Sequence, residues 1–250
     1  CPVDVSQENL KSVEEVLAVA DSYTKKDEPA EPVERRPSDT AYIGSLRSEL
    51  LEIKKELNQN EELKQSLNKA RNVVEGMLPD ENPVIEGYEF ATYFQACSQV
   101  GGDFYDFIEL DSNRVAVVLG DVSGHGLEAA LVMGMTKKAL NVRAKSSGEI
   151  NHVLSRANAD IYPDLERQTF ITCFYGVIDP ASHSMEIARA GHNFTILYRS
   201  ASGSVDILQS PGMPLGVTGG DMFGKALKTE TFTFEPGDVF VQYTDGLTEA

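Results

Sequence analysis

The chain has 250 residues, enough for one full-sized domain with an appendage, and 41% of them are hydrophobic, a share that supports a buried core. Its 22 basic residues against 39 acidic ones give a formal charge of −17, which excludes nucleic acid or an anionic membrane surface as the expected principal partner and favours metal cations. No apolar run approaches the roughly 18 residues of a spanning helix and no basic-then-apolar leader opens the chain, so a cytoplasmic location is expected, free or as the cytosolic part of a longer, membrane-tethered protein.

Residues 1–40 carry five basic and ten acidic residues and end in a proline-rich, charged run, "KKDEPAEPVERRPSD". We expect a short helix over Gln7–Tyr23 and otherwise a largely disordered linker. Cys1, Cys97 and Cys173 are widely spaced and odd in number, which supports neither a disulfide framework nor a metal knuckle; they are read as buried or incidental thiols.

Residues 41–78 form a second segment. Ile43, Leu46, Leu50, Ile53 and Leu57 follow 3-4-3-4 spacing, the seam of a coiled coil. Asn60 takes the next seam position, and the pattern resumes at Leu63, Leu67, Ala70, Val74 and Met77, so two successive threes make a stammer. A two-position seam is narrow for a core-facing helix, and a parallel dimer stalk is expected over a helix packed on its own domain.

"LPDENP" (Leu78 to Pro83) closes the helix, and residues 79–250 form a third segment rich in β-branched and aromatic runs. At least eight strands are expected: "YEFATYFQA", "DFYDFIEL", "RVAVVLGDV", "TFITCFYGVID", "SMEIARAG", "FTILYRS", "KTETFTFE" and "DVFVQYTDG". Two helices interrupt them, Gly126 to about Lys145, burying Leu127, Leu131, Met135 and Leu140, and Glu149 to about Leu165, burying Ile150, Val153, Leu154, Ala157 and Ile161. A helix pair among antiparallel strands predicts a layered α+β sandwich.

The chemistry gathers at strand ends. If Asp103–Leu110 and Arg114–Asp121 form a hairpin, Asp103 faces Asp121, and like charges across a ladder repel unless a cation lies between them. Hard oxygen ligands suit Mg²⁺ or Mn²⁺. Gly101-Gly102 allows close backbone approach, Gly124-His125-Gly126 allows a sharp turn into a helix whose N-terminus welcomes an anion, and "VFVQYTDG" ends another strand in Asp245. By alternation Asp106 points away from this group. Gly219-Gly220-Asp221, with no strand after it, is read as a flexible loop.

"VGGDFYD", "LGDVSGHG", "AGHNFTILY", "GMPLGV" and "YTDGLTEA" occur in an order that resembles the bacterial branch of the metal-dependent type 2C (PPM) protein phosphatases, the RsbU and SpoIIE-like enzymes. The resemblance implies a four-layer α-β-β-α sandwich over residues 79–250 and a site holding two Mn²⁺ or Mg²⁺ ions. It assigns Asp103, Asp121 and Asp245 to metal binding, with the backbone carbonyl of Val122. It also implies a further aspartate beyond "TDG", which the sequence does not reach, so we expect a piece of a longer protein; a catalytically impaired dimeric scaffold or sensor is the alternative.

The implied reaction is hydrolysis of phosphoserine or phosphothreonine by a metal-activated water, on a phosphoprotein that the resemblance suggests is an anti-sigma-factor antagonist. His125 is a candidate acid for the leaving oxygen or a brace for its turn, His192 a turn or flanking-strand residue, and His152 and His183 surface positions. The residues six after each cysteine are Gln7, Asp103 and Asp179, so no thiol has the arginine that cysteine-dependent phosphatases use. No phosphate-loop lysine or dinucleotide fingerprint accompanies the glycines. Rotation of the stalk is expected to move the helix that follows Gly126.

Overall fold

A computed structural model describes residues 37–95, 101–111 and 113–248. The predicted helix at 7–23, most of the linker, Cys1 and Cys97 lie outside them. The chain divides into two units, one ending at Leu67 and one running from Asn68. Helix α1 spans Pro37–Glu75, opening inside the stretch read as linker. Proline is suited to a helix start, where its missing N–H is not required. Along α1 the seam residues Leu46, Ile53 and Leu63 are exposed.

From Asn68 onward the fold is an antiparallel sandwich. Strands β1 (Phe104–Glu109), β2 (Val115–Val122), β3 (Ile171–Asp179), β4 (Ser184–Ala190) and β7 (Thr229–Thr233) form one sheet in the order β1-β2-β3-β4-β7. β5 (Thr195–Arg199), β6 (Ser204–Leu208) and β8 (Val239–Val241) form a second, ordered β6-β5-β8. Helices α2 (Leu127–Ser146) and α3 (Ile150–Ile161) cover the first sheet, and α4 (Asp221–Ala226) packs on α3.

Strand alternation builds two cores. On β3, Ile171, Cys173, Tyr175 and Val177 join α2 and α3 in one, while Phe174 and Ile178 join Met185, Ile187, Leu197 and Phe232 between the sheets in the other. A strand buried on both faces needs a continuous apolar run, which "ITCFYGVI" supplies. The outer face of the second sheet presents Tyr198, Val205, Ile207, Val239 and Val241, all exposed.

Four expectations are corrected. The run at 88–95 is no ladder strand: only Tyr88 bridges, to Ile85, and the Phe90 carbonyl accepts from Asn82 Nδ2 at 2.9 Å. Its alternation arises from packing, with Tyr88 edge-on to Phe234 and Phe90 edge-on to Phe107. Conversely β6 was not expected, because Val205 and Ile207 put their apolar side chains on the exposed face. Asp221 opens α4, which buries Phe223, rather than lying in a flexible loop. Finally, α2 turns Leu127, Leu131 and Met135 outward and buries Ala129, Ala130, Met133, Thr136, Leu140 and Ala144. Three of the buried residues are alanines and one is a threonine, so size is a poor guide to its inner face. The α3 face is as expected: Ile150, Val153, Leu154, Ala157 and Ile161 are all buried.

Candidate metal centre

The β1–β2 hairpin has the register read from the sequence, running from Phe104 opposite Gly120 to Glu109 opposite Val115. One residue further along that register lie Asp103 and Asp121. Asp245 comes from the other sheet, opening the 3₁₀ turn Asp245–Leu247 beyond β8. One carboxylate oxygen from each of Asp103, Asp121 and Asp245 lies within 4.8 Å of the other two; the first two residues are half-buried and the third exposed. Among the described residues, no lysine or arginine forms an ion pair with Asp103 or Asp245.

Local structure explains how the group is held. Thr244 Oγ1 donates to Asp103 Oδ2 at 2.8 Å, a tie between the sheets across 141 positions of sequence that the pattern of residues did not reveal. A hydroxyl beside an aspartate in "YTDG" is the only sequence signal it leaves. A Cβ added to Gly102 would stand 2.9 Å from both the carbonyl oxygen and the Cβ of Val122, so this glycine permits the expected close approach of backbone to β2. Gly124 (φ 95) and Gly126 (φ 84) adopt left-handed backbone and carry the chain from β2 into α2, with His125 exposed between them.

Asp106 lies apart from the group. It is buried on the β1 face shared with Phe104 and Ile108, where Lys137 Nζ on α2 reaches its Oδ1 at 2.6 Å. His192 lies in the β4–β5 turn and is buried; its Nδ1 is 2.8 Å from Thr172 Oγ1. Burial, and then the Arg189 guanidinium, push its pKa down to about 4, with the Tyr243 backbone acting the other way. His152 and His183 are exposed. Cys173 is buried, and burial pushes its thiol up to about 12.

Gly102→Ala forces backbone at Val122 to move, and a loss of about 1–3 kcal/mol of stability is expected. Urea unfolding measures it, with Gly101→Ala as control, since a Cβ at Gly101 meets nothing within 4 Å.

A sandwich of two antiparallel sheets with a helix pair on one face and carboxylates from both sheets meeting at one end has the type 2C phosphatase fold. It is similar to the SiaA-PP2C domain of Pseudomonas aeruginosa (TM-score 0.61, 19% identity, 73% of this chain and 71% of that one). It is also similar to the RsbU and RsbW domains of Rv1364c from Mycobacterium tuberculosis (TM-score 0.52, 27% identity, 62% of this chain and 42% of that one).

The family described as Stage II sporulation protein E (SpoIIE) matches residues 111–250, and the chain belongs to that family, in the RsbU/SpoIIE branch of bacterial metal-dependent phosphatases. Phosphoserine phosphatase RsbU of Bacillus subtilis is 28% identical over 189 residues, covering 76% of this chain and 55% of RsbU. The chain spans about half the length of the curated relatives it matches, with 45% of RsbP covered.

Proposed function

We propose that the chain is a metal-dependent serine/threonine protein phosphatase. The observation that carries this reading is the meeting of Asp103, Asp121 and Asp245 at one end of the sandwich. An all-carboxylate donor set fits a hard divalent cation, and like charges this close call for one. Two Mn²⁺ or Mg²⁺ ions held by the three aspartates and the Val122 carbonyl would polarise phosphoryl oxygens and bring a bound water toward ionisation at neutral pH.

The chain's own residues supply position. The β1–β2 ladder sets Asp103 beside Asp121, and Thr244 holds the Asp103 carboxylate in one orientation. His125, exposed in the turn after β2, is the candidate for protonating the leaving oxygen. Cys173 takes no part as a nucleophile, because a buried thiol ionising only near 12 presents almost no thiolate at neutral pH.

The relative named phosphoserine phosphatase RsbU supports phosphoserine as the group attacked; our candidate substrate is a phosphoprotein, a phosphorylated anti-sigma-factor antagonist. The exposed seam residues Leu46, Ile53 and Leu63 support a homodimer formed through residues 41–78, although Val74 near the end of α1 packs on the core of its own domain, and we place the protein in the cytoplasm; no described helix is long and apolar enough to cross a membrane.

The test uses the 250-residue chain. Phosphate release from a phosphoserine peptide is expected to require Mn²⁺ or Mg²⁺ and to stop on chelation, and light scattering on the same sample should give twice the chain mass. Turnover that survives exhaustive chelation removes the metal reading, and a single-chain mass removes the dimer.

A further inference from the structure

We propose that His192 is a positioning residue that holds the two sheets in register at the carboxylate group. This rests on the metal reading above, but its geometry is independent of any ion.

The group draws Asp103 and Asp121 from the first sheet and Asp245 from beyond β8 in the second, so its dimensions depend on how the sheets are tied at that end. The turn between β4 and β5 passes from one sheet to the other there. On the first-sheet side, His192 Nδ1 meets Thr172 Oγ1 at 2.8 Å, and Thr172 is the direct partner of Asp121 in the β2–β3 ladder. Side chains opposed in an antiparallel pair share a face, so Thr172 and Asp121 stand side by side. On the second-sheet side, the next residue is bonded to the segment that ends in Asp245: the Asn193 carbonyl accepts from Gln242 Nε2 at 3.1 Å, and Asn193 Nδ2 donates to the Tyr243 carbonyl at 3.5 Å. Arg189 Nε fixes the turn itself, donating at 3.0 Å to the carbonyls of both His192 and Asn193. The Thr244–Asp103 bond then closes a circuit of contacts around the three carboxylates.

A second observation extends this role to the other sheet. His192 is 2% exposed, and the Tyr243 backbone, in the segment that leads to Asp245, lies within reach of its ring, although Nε2 makes no well-aligned hydrogen bond. An apolar side chain of similar shape would lose the Nδ1 bond to Thr172.

The measurement is Mn²⁺ binding by calorimetry, with urea unfolding in parallel, on the unsubstituted chain, His192→Phe, His192→Asn and Thr172→Val. We expect His192→Phe and Thr172→Val to fold but to bind Mn²⁺ about 10–100-fold more weakly, the usual cost of losing a group that orients a ligand, and His192→Asn, which can still bond Thr172, to recover most of the affinity. Unchanged affinity in His192→Phe overturns the proposal; if that variant does not fold, unchanged affinity in Thr172→Val does so. Equal weakening in His192→Asn and His192→Phe also overturns it, because the imidazole would then act by shape. Failure of the unsubstituted chain to bind Mn²⁺ instead overturns the metal reading and this role with it.

Discussion

In Asp121→Asn, Mn²⁺-dependent hydrolysis of p-nitrophenyl phosphate is expected to fall by about 10²–10³-fold. A bound cation contributes several kcal/mol of charge stabilisation to phosphoryl transfer, and each 1.4 kcal/mol is a factor of about ten. Asparagine keeps the shape of the residue and one oxygen donor while removing the charge proposed to hold the ion. The same substitution should abolish the stabilisation that Mn²⁺ gives the parent chain, about 2.7 kcal/mol at a free concentration a hundred times the dissociation constant. Initial rates and urea midpoints, each with and without Mn²⁺, check both effects. Full activity in the variant would show that the reaction occurs elsewhere. Stabilisation of the parent chain by Mn²⁺ without turnover would instead favour the scaffold reading.

How much of the fold the sequence reveals depends on how local the cause is. The β1–β2 register follows from two alternating runs joined by a tight turn at Asp111, where the Asp111 carboxylate accepts from the backbone of Asn113 and Arg114 at 3.0 and 2.9 Å. One turn and one alternation therefore place Asp103 beside Asp121. The inner face of α3 is legible for a similar reason, since its largest apolar residues, Ile150, Val153, Leu154 and Ile161, are all buried. On α2 these two properties part company. Ala129, Ala130 and Ala144 face the sheet while Leu127 and Leu131 face outward, and a reading that follows side-chain size selects the wrong stripe.

The ties between the sheets were not legible at all. Thr244 to Asp103 and Asn193 to Tyr243 join residues that are distant in sequence, and nothing in either neighbourhood specifies the partner. His192 shows the same limit. Its place in a turn was readable, whereas its burial and its bond to Thr172 depend on β3 and β4 pairing and on β5 leaving for the other sheet. Period-2 alternation also misled at Tyr88 and Phe90, where aromatic packing produces the pattern of a strand without ladder hydrogen bonds.

Lys137→Met is expected to cost about 3–5 kcal/mol of stability, because it leaves the Asp106 carboxylate buried without its cation. The two side chains are 13% and 10% exposed and their charged atoms are 2.6 Å apart, so water can do little for the survivor. Asp106→Leu should cost a similar amount from the other side. The double variant removes both charges and is expected to regain most of the loss, since a well-packed apolar pair is often as stable as the ion pair it replaces. Urea unfolding of the four proteins gives the coupling directly. Single losses below about 0.5 kcal/mol would mean that the pair is solvated and carries no more than a surface bridge. Asp106 is three residues from Asp103 and repeats its residue type, but their environments divide the roles. On one side of β1 the carboxylate meets a lysine and fastens α2 to the strand; at the end of the strand it meets two other carboxylates, the group proposed above to hold a divalent ion. Metal affinity in the single variants should therefore follow the fraction of folded protein alone, whereas in Asp121→Asn it falls while the fold persists.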